Sequence, residues 1–193
     1  MFWTIFLSYL PYSLVTTITP GPNNLMSFYS VSHSGWKKGS RTILGMTAGF
    51  FSVMLICAFA CYQLEQYLPE ITGVMKYLGA AYILYLGLHI ILTKSGTSEG
   101  EKASFFRGFV LQFVNAKVIL CGVTRYTCYV LPYTQNPGDL VLHGAAFALI
   151  GLACFCIWAL FGKLLSKLTT KYDKPFRIAM GIILWICGIR LFL

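Results

Sequence analysis

The chain has 193 residues, of which 57% are apolar and 11% charged, and a formal net charge of +9. Soluble domains average roughly 45–50% apolar and about 25% charged residues and need a polar outer surface over every helix, so a soluble globule is excluded. Lys and Arg flank apolar runs instead of interleaving with aromatics on a polar face, so the basic excess reads as membrane topology and no nucleic-acid partner is expected.

A spanning helix takes about 20 mainly apolar residues, and six windows of that size occur, at about 3–27, 41–64, 72–93, 106–131, 140–165 and 175–193. The expected fold class is therefore all-α, a polytopic membrane protein with six transmembrane helices. The opening MFWTIFLSYL has no basic n-region and no small-residue cleavage site, so it reads as the first span and not as a cleaved signal peptide.

Inside that first window stands Thr16-Thr17-Ile18-Thr19-Pro20-Gly21-Pro22-Asn23-Asn24. Two prolines remove backbone donors and Gly21 loosens what remains, so the helix should break or kink here. Freed backbone groups are costly in lipid and are tolerated against protein or a water-lined cavity. Released carbonyls and amides, with the Thr and Asn side chains, suit a small polar solute.

Ser34-Gly35 marks the next turn, and the second window carries a GxxxG pair, Gly45 and Gly49, with Ala48 and Ser52 at the same spacing. Small residues at that interval let helix backbones approach closely. Past Pro69 and the third window, Lys94 to Ser104 (KSGTSEGEKAS) is the longest polar stretch and a loop-sized insert.

The fourth window opens on Gln112-Phe113-Val114-Asn115-Ala116-Lys117. Gln112 and Asn115, three apart, can share a helix face. Lys117 is either a functional intramembrane charge or a side chain that snorkels to the headgroups. Arg125 lies near mid-span, where snorkelling is harder; Lys117, Cys121, Arg125 and Cys128 fall within about 80° on a helical wheel, a face expected to point into the bundle. Arg125 reads as a clamp for a substrate carboxylate or as a partner for carbonyls released elsewhere. Asn136-Pro137-Gly138 precedes the fifth window and Lys171 to Pro175 the sixth; Trp158 and Trp185 sit deep in these windows, whereas Trp3, Trp36 and Tyr67 suit interfaces.

Lys37, Lys38 and Arg41, then Lys94, Lys102 and Arg107, then Lys163, Lys167, Lys171, Lys174 and Arg177 put eleven of the fifteen basic residues into alternate loops. The positive-inside rule makes those loops cytoplasmic and both termini periplasmic. The unusual segments of the first and fourth windows open two three-helix halves. Matching breaks in two halves point to inverted repeats, here about 1–93 and 105–193 around the loop 94–104, within a single transporter domain over 1–193.

The segments TPGPNNLMSFYSVSHSGWKKGSRTILGMTAGF and QFVNAKVILCGV, with Tyr129 to Gln135, resemble the lysine exporter (LysE/RhtB) superfamily of amino-acid efflux proteins, most of all its cysteine and O-acetylserine exporters. The resemblance covers nearly the whole chain. It implies export of a small amino acid or derivative across the bacterial inner membrane, driven by the proton gradient, and it carries onto Pro20, Gly21, Pro22, Asn23, Asn115 and Lys117. Many relatives have Asn-Pro-Lys where this chain has Asn115-Ala116-Lys117, and Arg125 has no expected counterpart in that branch.

The substrate-binding candidates are thus Thr19, Pro20, Gly21, Pro22, Asn23, Asn24, Gln112, Asn115, Lys117 and Arg125. The expected partners are an amino-acid substrate, the bilayer and a second copy in a homodimer; no catalytic residue, metal or cofactor is expected. Glu65, Glu70, Glu99, Glu101, Asp139 and Asp173 all lie in loops or near span ends, so a mid-membrane carboxylate for proton coupling is absent, and His89 and His143 read as interfacial. Two alternatives are a membrane thiol redox protein, since Cys57 and Cys61 are four apart and Cys154 and Cys156 are near neighbours, and a heavy-metal efflux carrier. The first lacks a C-x-x-C pair and the second lacks dense ligand spacing.

Overall fold

A computed structural model describes residues 1–63 and 103–165, with single positions 88, 175, 178, 179 and 182. Apart from those single positions, the third and sixth windows, with the polar insert to residue 102, His89, Trp185 and Cys187, lie outside the described residues. Among the described residues every regular element is helical: α1 (Phe2–Ile18), α2 (Pro22–Gln63), α3 (Phe105–Val114), α4 (Ala116–Arg125, continued by a π-helical turn at Tyr126–Val130) and α5 (Pro137–Leu164).

The first window is divided where the prolines stand. α1 ends at Ile18, and α2 starts at Pro22, the first helical position, where a missing N–H costs nothing and the fixed φ is already helical. At Gly35 the expected turn is a kink inside α2: its φ of 73° and ψ of 168° interrupt the helix, a conformation that glycine alone adopts without strain. α2 and α5 are long and apolar enough to cross a membrane, and α3 with α4 makes a third span if that pair, bent by 65°, is counted as one. Trp3, Leu7, Val15, Leu149 and Phe161 face outward, the apolar outer surface that lipid covers and water would not.

The small-residue stripe is a packing face. A methyl group on Gly45 would strike the carbonyl of Phe105, one on Gly49 the backbone of Phe109 and the side chain of Gln112, and one on Gly108 the backbone of Thr42. The two helices therefore meet backbone to backbone, through glycines on both sides. That contact carries Gln112 to α2. Gly162 of α5 lies equally close to the carbonyl of Phe28, and Tyr9, Met46, Phe50, Met54, Tyr126, Phe147 and Phe155 fill the middle.

Candidate functional site

Two interruptions face each other across the bundle. At the first, the carbonyls that end α1 have no helical partners, and three side chains supply them. Asn24 Nδ2 donates to Thr17 O (2.9 Å), Ile18 O (3.3 Å) and Thr19 O (2.7 Å). Trp158 Nε1, from α5, donates to Ile18 O at 3.0 Å. Lys117 Nζ, from α4, donates to Thr19 O at 2.8 Å and reaches Pro20 O at 3.5 Å. A cation at a helix C-terminus also complements the negative end of the dipole.

The second interruption is one residue long. Asn115 has φ −85° and ψ 94°, and its Oδ1 accepts from the Lys117 backbone N–H at 3.2 Å, so it caps α4 as it ends α3. Its Nδ2 donates to Asn23 Oδ1 at 3.0 Å. Asn23 and Gln112 exchange amide bonds, Asn23 Nδ2 to Gln112 Oε1 at 2.7 Å and Gln112 Nε2 to Asn23 Oδ1 at 3.0 Å. Gln112 and Asn115 do converge, but on Asn23 and across a break; the shared helical face expected for them is absent because the helix stops at Val114.

Beside these ties lies a small, partly open cavity lined by Thr16, Thr17, Gly21, Pro22, Asn23, Asn24, Phe50, Asn115, Lys117, Val118, Cys121, Arg125 and Phe155. Seven of the ten expected site residues line it. Thr19, Pro20 and Gln112 do not: the first two give their carbonyls to Lys117, and Gln112 lies behind Asn23. Phe50, Val118, Cys121 and Phe155 supply the apolar lining; Cys121 stood out only as a member of the Lys117–Arg125 face, and the other three look like ordinary core in the sequence.

Arg125 is 1% exposed. Its Nε donates to Ser13 Oγ at 3.0 Å and its Nη2 to Thr17 Oγ1 at 2.8 Å and Thr16 Oγ1 at 3.2 Å, while Nη1 has no partner among the described residues. The guanidinium carbon lies 5.8 Å from the Phe50 ring centre and 5.3 Å from that of Phe147, close enough for cation–π attraction. The partners Arg125 finds are thus hydroxyls of α1 and aromatic faces, not the released carbonyls. Asp139 is the sole acidic residue in the described part and is held by Thr134 at 2.8 Å. Two cations therefore border the cavity and no carboxylate of the described residues lines it, a field that favours an anionic group.

One further expectation changes. Cys128 is exposed and leaves the Lys117–Arg125 face, because the π-helical turn, closed by Leu131 N to Tyr126 O at 2.8 Å, shifts the angular register after Arg125. His143 is buried within the bundle, its Nδ1 3.1 Å from Tyr9 Oη and its ring stacked on Phe2. The six cysteines in the described part are free, and among the described residues no three His, Cys, Asp or Glu side chains gather as metal ligands would.

The family model described as LysE type translocator matches residues 14–193. The cysteine/O-acetylserine efflux protein of Escherichia coli (strain K12) is 36% identical over 191 residues, covering 98% of each chain. The protein of that name in Shigella sonnei (strain Ss046) matches to the same extent, and that of Shigella flexneri is 36% identical over 193 residues, covering 99% of this chain and 95% of its own. No solved structure matches the chain.

Proposed function

The chain belongs to the LysE type translocator family and is a multi-pass membrane protein, and from that premise we propose that it is a transporter and not an enzyme, exporting small amino acids or their derivatives across the bacterial inner membrane. Cysteine and O-acetylserine are the expected substrates, because relatives matched along almost their whole length carry those names. The observation that carries the reading is the cavity between the two helix breaks, with a buried guanidinium whose Nη1 is uncommitted. A carboxylate is the group such a donor binds best.

In this reading the chain has six spans in two inverted three-helix repeats, with basic loops in the cytoplasm and termini in the periplasm. One break inside each of the first and fourth windows, at Thr19–Gly21 and at Asn115, supports the repeat. The proton gradient drives export, and the working unit is a homodimer. Arg125 meets the substrate carboxylate. Lys117, Asn23, Gln112 and Asn115 hold the two breaks together, so that the cavity keeps its shape.

Cells that overproduce the protein should release labelled cysteine and O-acetylserine faster than cells carrying an empty vector, and a protonophore should abolish the difference. Release that stays at the vector level for both, and for homoserine, threonine and basic amino acids, would refute the proposal.

A further inference from the structure

Two residues that line the cavity each keep a buried polar atom without a partner among the described residues, and the two atoms are of opposite kind. One is the donor Arg125 Nη1; the other is the acceptor Asn24 Oδ1. Both residues are almost fully buried, Arg125 at 1% and Asn24 at 2% exposure. A buried polar group left unpaired is destabilising, the more so when charged, so each atom is a standing demand for a ligand group of the opposite kind.

The orientation of the Asn24 amide is fixed by its other end. Nδ2 donates to the carbonyls of Thr17, Ile18 and Thr19, and a flipped amide would set an oxygen against three oxygens. Oδ1 is therefore an acceptor by necessity. The remaining polar groups of the wall are engaged: Asn23 with Gln112 and Asn115, Lys117 with the end of α1, and Thr16 and Thr17 with Arg125.

Resting on the export reading above, we propose that the cavity is a two-point clamp for a free α-amino acid: Arg125 Nη1 donates to its carboxylate and Asn24 Oδ1 accepts from its ammonium. The side chain then lies against Phe50, Val118, Cys121 and Phe155, which line the same cavity. N-acylated amino acids, which leave Asn24 without a cationic donor, and carboxylate esters, which leave Arg125 without an anion, are refused. A neutral amide suffices for the ammonium because the carboxylate supplies the charge that Arg125 requires, and the zwitterion adds no net charge to the site.

The test uses the full-length protein purified in detergent, in mildly acidic buffer, where the acyl group stays on oxygen and the ammonium is charged. Thermal stabilisation is titrated with O-acetylserine, with its isomer N-acetylserine, and with O-acetylserine methyl ester. The isomer and the ester should each need roughly 10- to 100-fold higher concentration for the same shift, the range for one hydrogen bond to a charged group. In R125Q the preference for acid over ester should collapse while that for O-acetylserine over N-acetylserine survives; N24L should show the reverse, and N24D, protonated against the three carbonyls, should keep both.

Equal stabilisation by the two isomers in the unmodified protein, or by none of the three compounds, overturns the clamp, and that comparison needs no variant to fold. Both preferences in vitro with no export from cells would retain the clamp and overturn the export reading. Export from cells with equal competition by N-acetylserine would do the opposite.

Discussion

The two helix breaks reach the same end by different chemistry. The break at Thr19–Gly21 is written into the backbone: two prolines two positions apart remove two helix donors and the glycine between them weakens what remains. Its freed carbonyls are then served from elsewhere, by Asn24, Trp158 and Lys117. At Asn115 no residue forbids a helix, since Ala116 follows where proline would have forced one to stop. There the break is held by one side chain, which caps α4 and is itself bonded to Asn23. The first break should survive most single substitutions, and the second should depend on a few hydrogen bonds.

Arg125 joins the halves above both breaks, so its loss should have the largest effect. In R125M the methionine keeps much of the volume against Phe50 and Phe147, while Ser13, Thr16 and Thr17 can turn their hydroxyls to the carbonyls of their own helix, as Thr16 does to Tyr12 O. Initial export rate should fall roughly 100-fold, from the loss of the charged contact to substrate, with expression and thermal unfolding close to normal. Wild-type export by R125M would remove Arg125 from the site.

Next in size is K117M. Here the loss falls on the protein itself, because the carbonyls of Thr19 and Pro20 lose their cationic donor. Stability in detergent should drop by about 1–3 kcal/mol, and export should fall with it. Unchanged stability with lost export would instead make Lys117 a direct substrate ligand, against the latch assigned to it.

Much of this arrangement was legible in the residues. Pro20, Gly21 and Pro22 announce their break because proline acts locally, and seven expected residues do line one cavity. The break at Asn115 was not legible. An asparagine in an apolar run fits a helix as well as a cap, and only its distant partner Asn23 decides between them. Angular periodicity failed for the related reason that it assumes a continuous helix: it paired Gln112 with Asn115 across a break and carried Cys128 inward past a π-helical turn. The apolar lining was hidden too, since Phe50 and Phe155 look like core until the polar wall opposite is known. Trp158 and His143 gave no signal of their bonds to Ile18 and Tyr9, which depend on partners more than 130 positions away.

The contrast between the breaks is sharpened by comparing N115A with P20A. Alanine at 115 removes the cap and a bond to Asn23 and, with Ala116 behind it, leaves a segment free to run on as helix. The straightened span would carry Lys117 away from Thr19 O, so export should fall roughly tenfold, as expected for about 1–2 kcal/mol of capping. P20A should lose less than threefold by the same scale, because Gly21 and Pro22 still divide α1 from α2. Equal losses would mean that both breaks are set by side-chain contacts.

The smallest effect should come from W158F, and it separates packing from hydrogen bonding at the end of α1. Trp158 is partly buried, and its Nε1 donates to Ile18 O. That carbonyl has a second, longer bond from Asn24 Nδ2 at 3.3 Å. Phenylalanine keeps the aromatic contact and deletes the donor, so Asn24 remains to serve the carbonyl. One neutral hydrogen bond of this kind contributes about 0.5–1.5 kcal/mol, and the shared partner puts W158F at the lower end of that range, read as a small fall in detergent melting temperature with export retained. A loss as large as that of K117M would mean that Asn24 cannot serve Ile18 O alone, and that α5 takes a direct part in keeping the first break open.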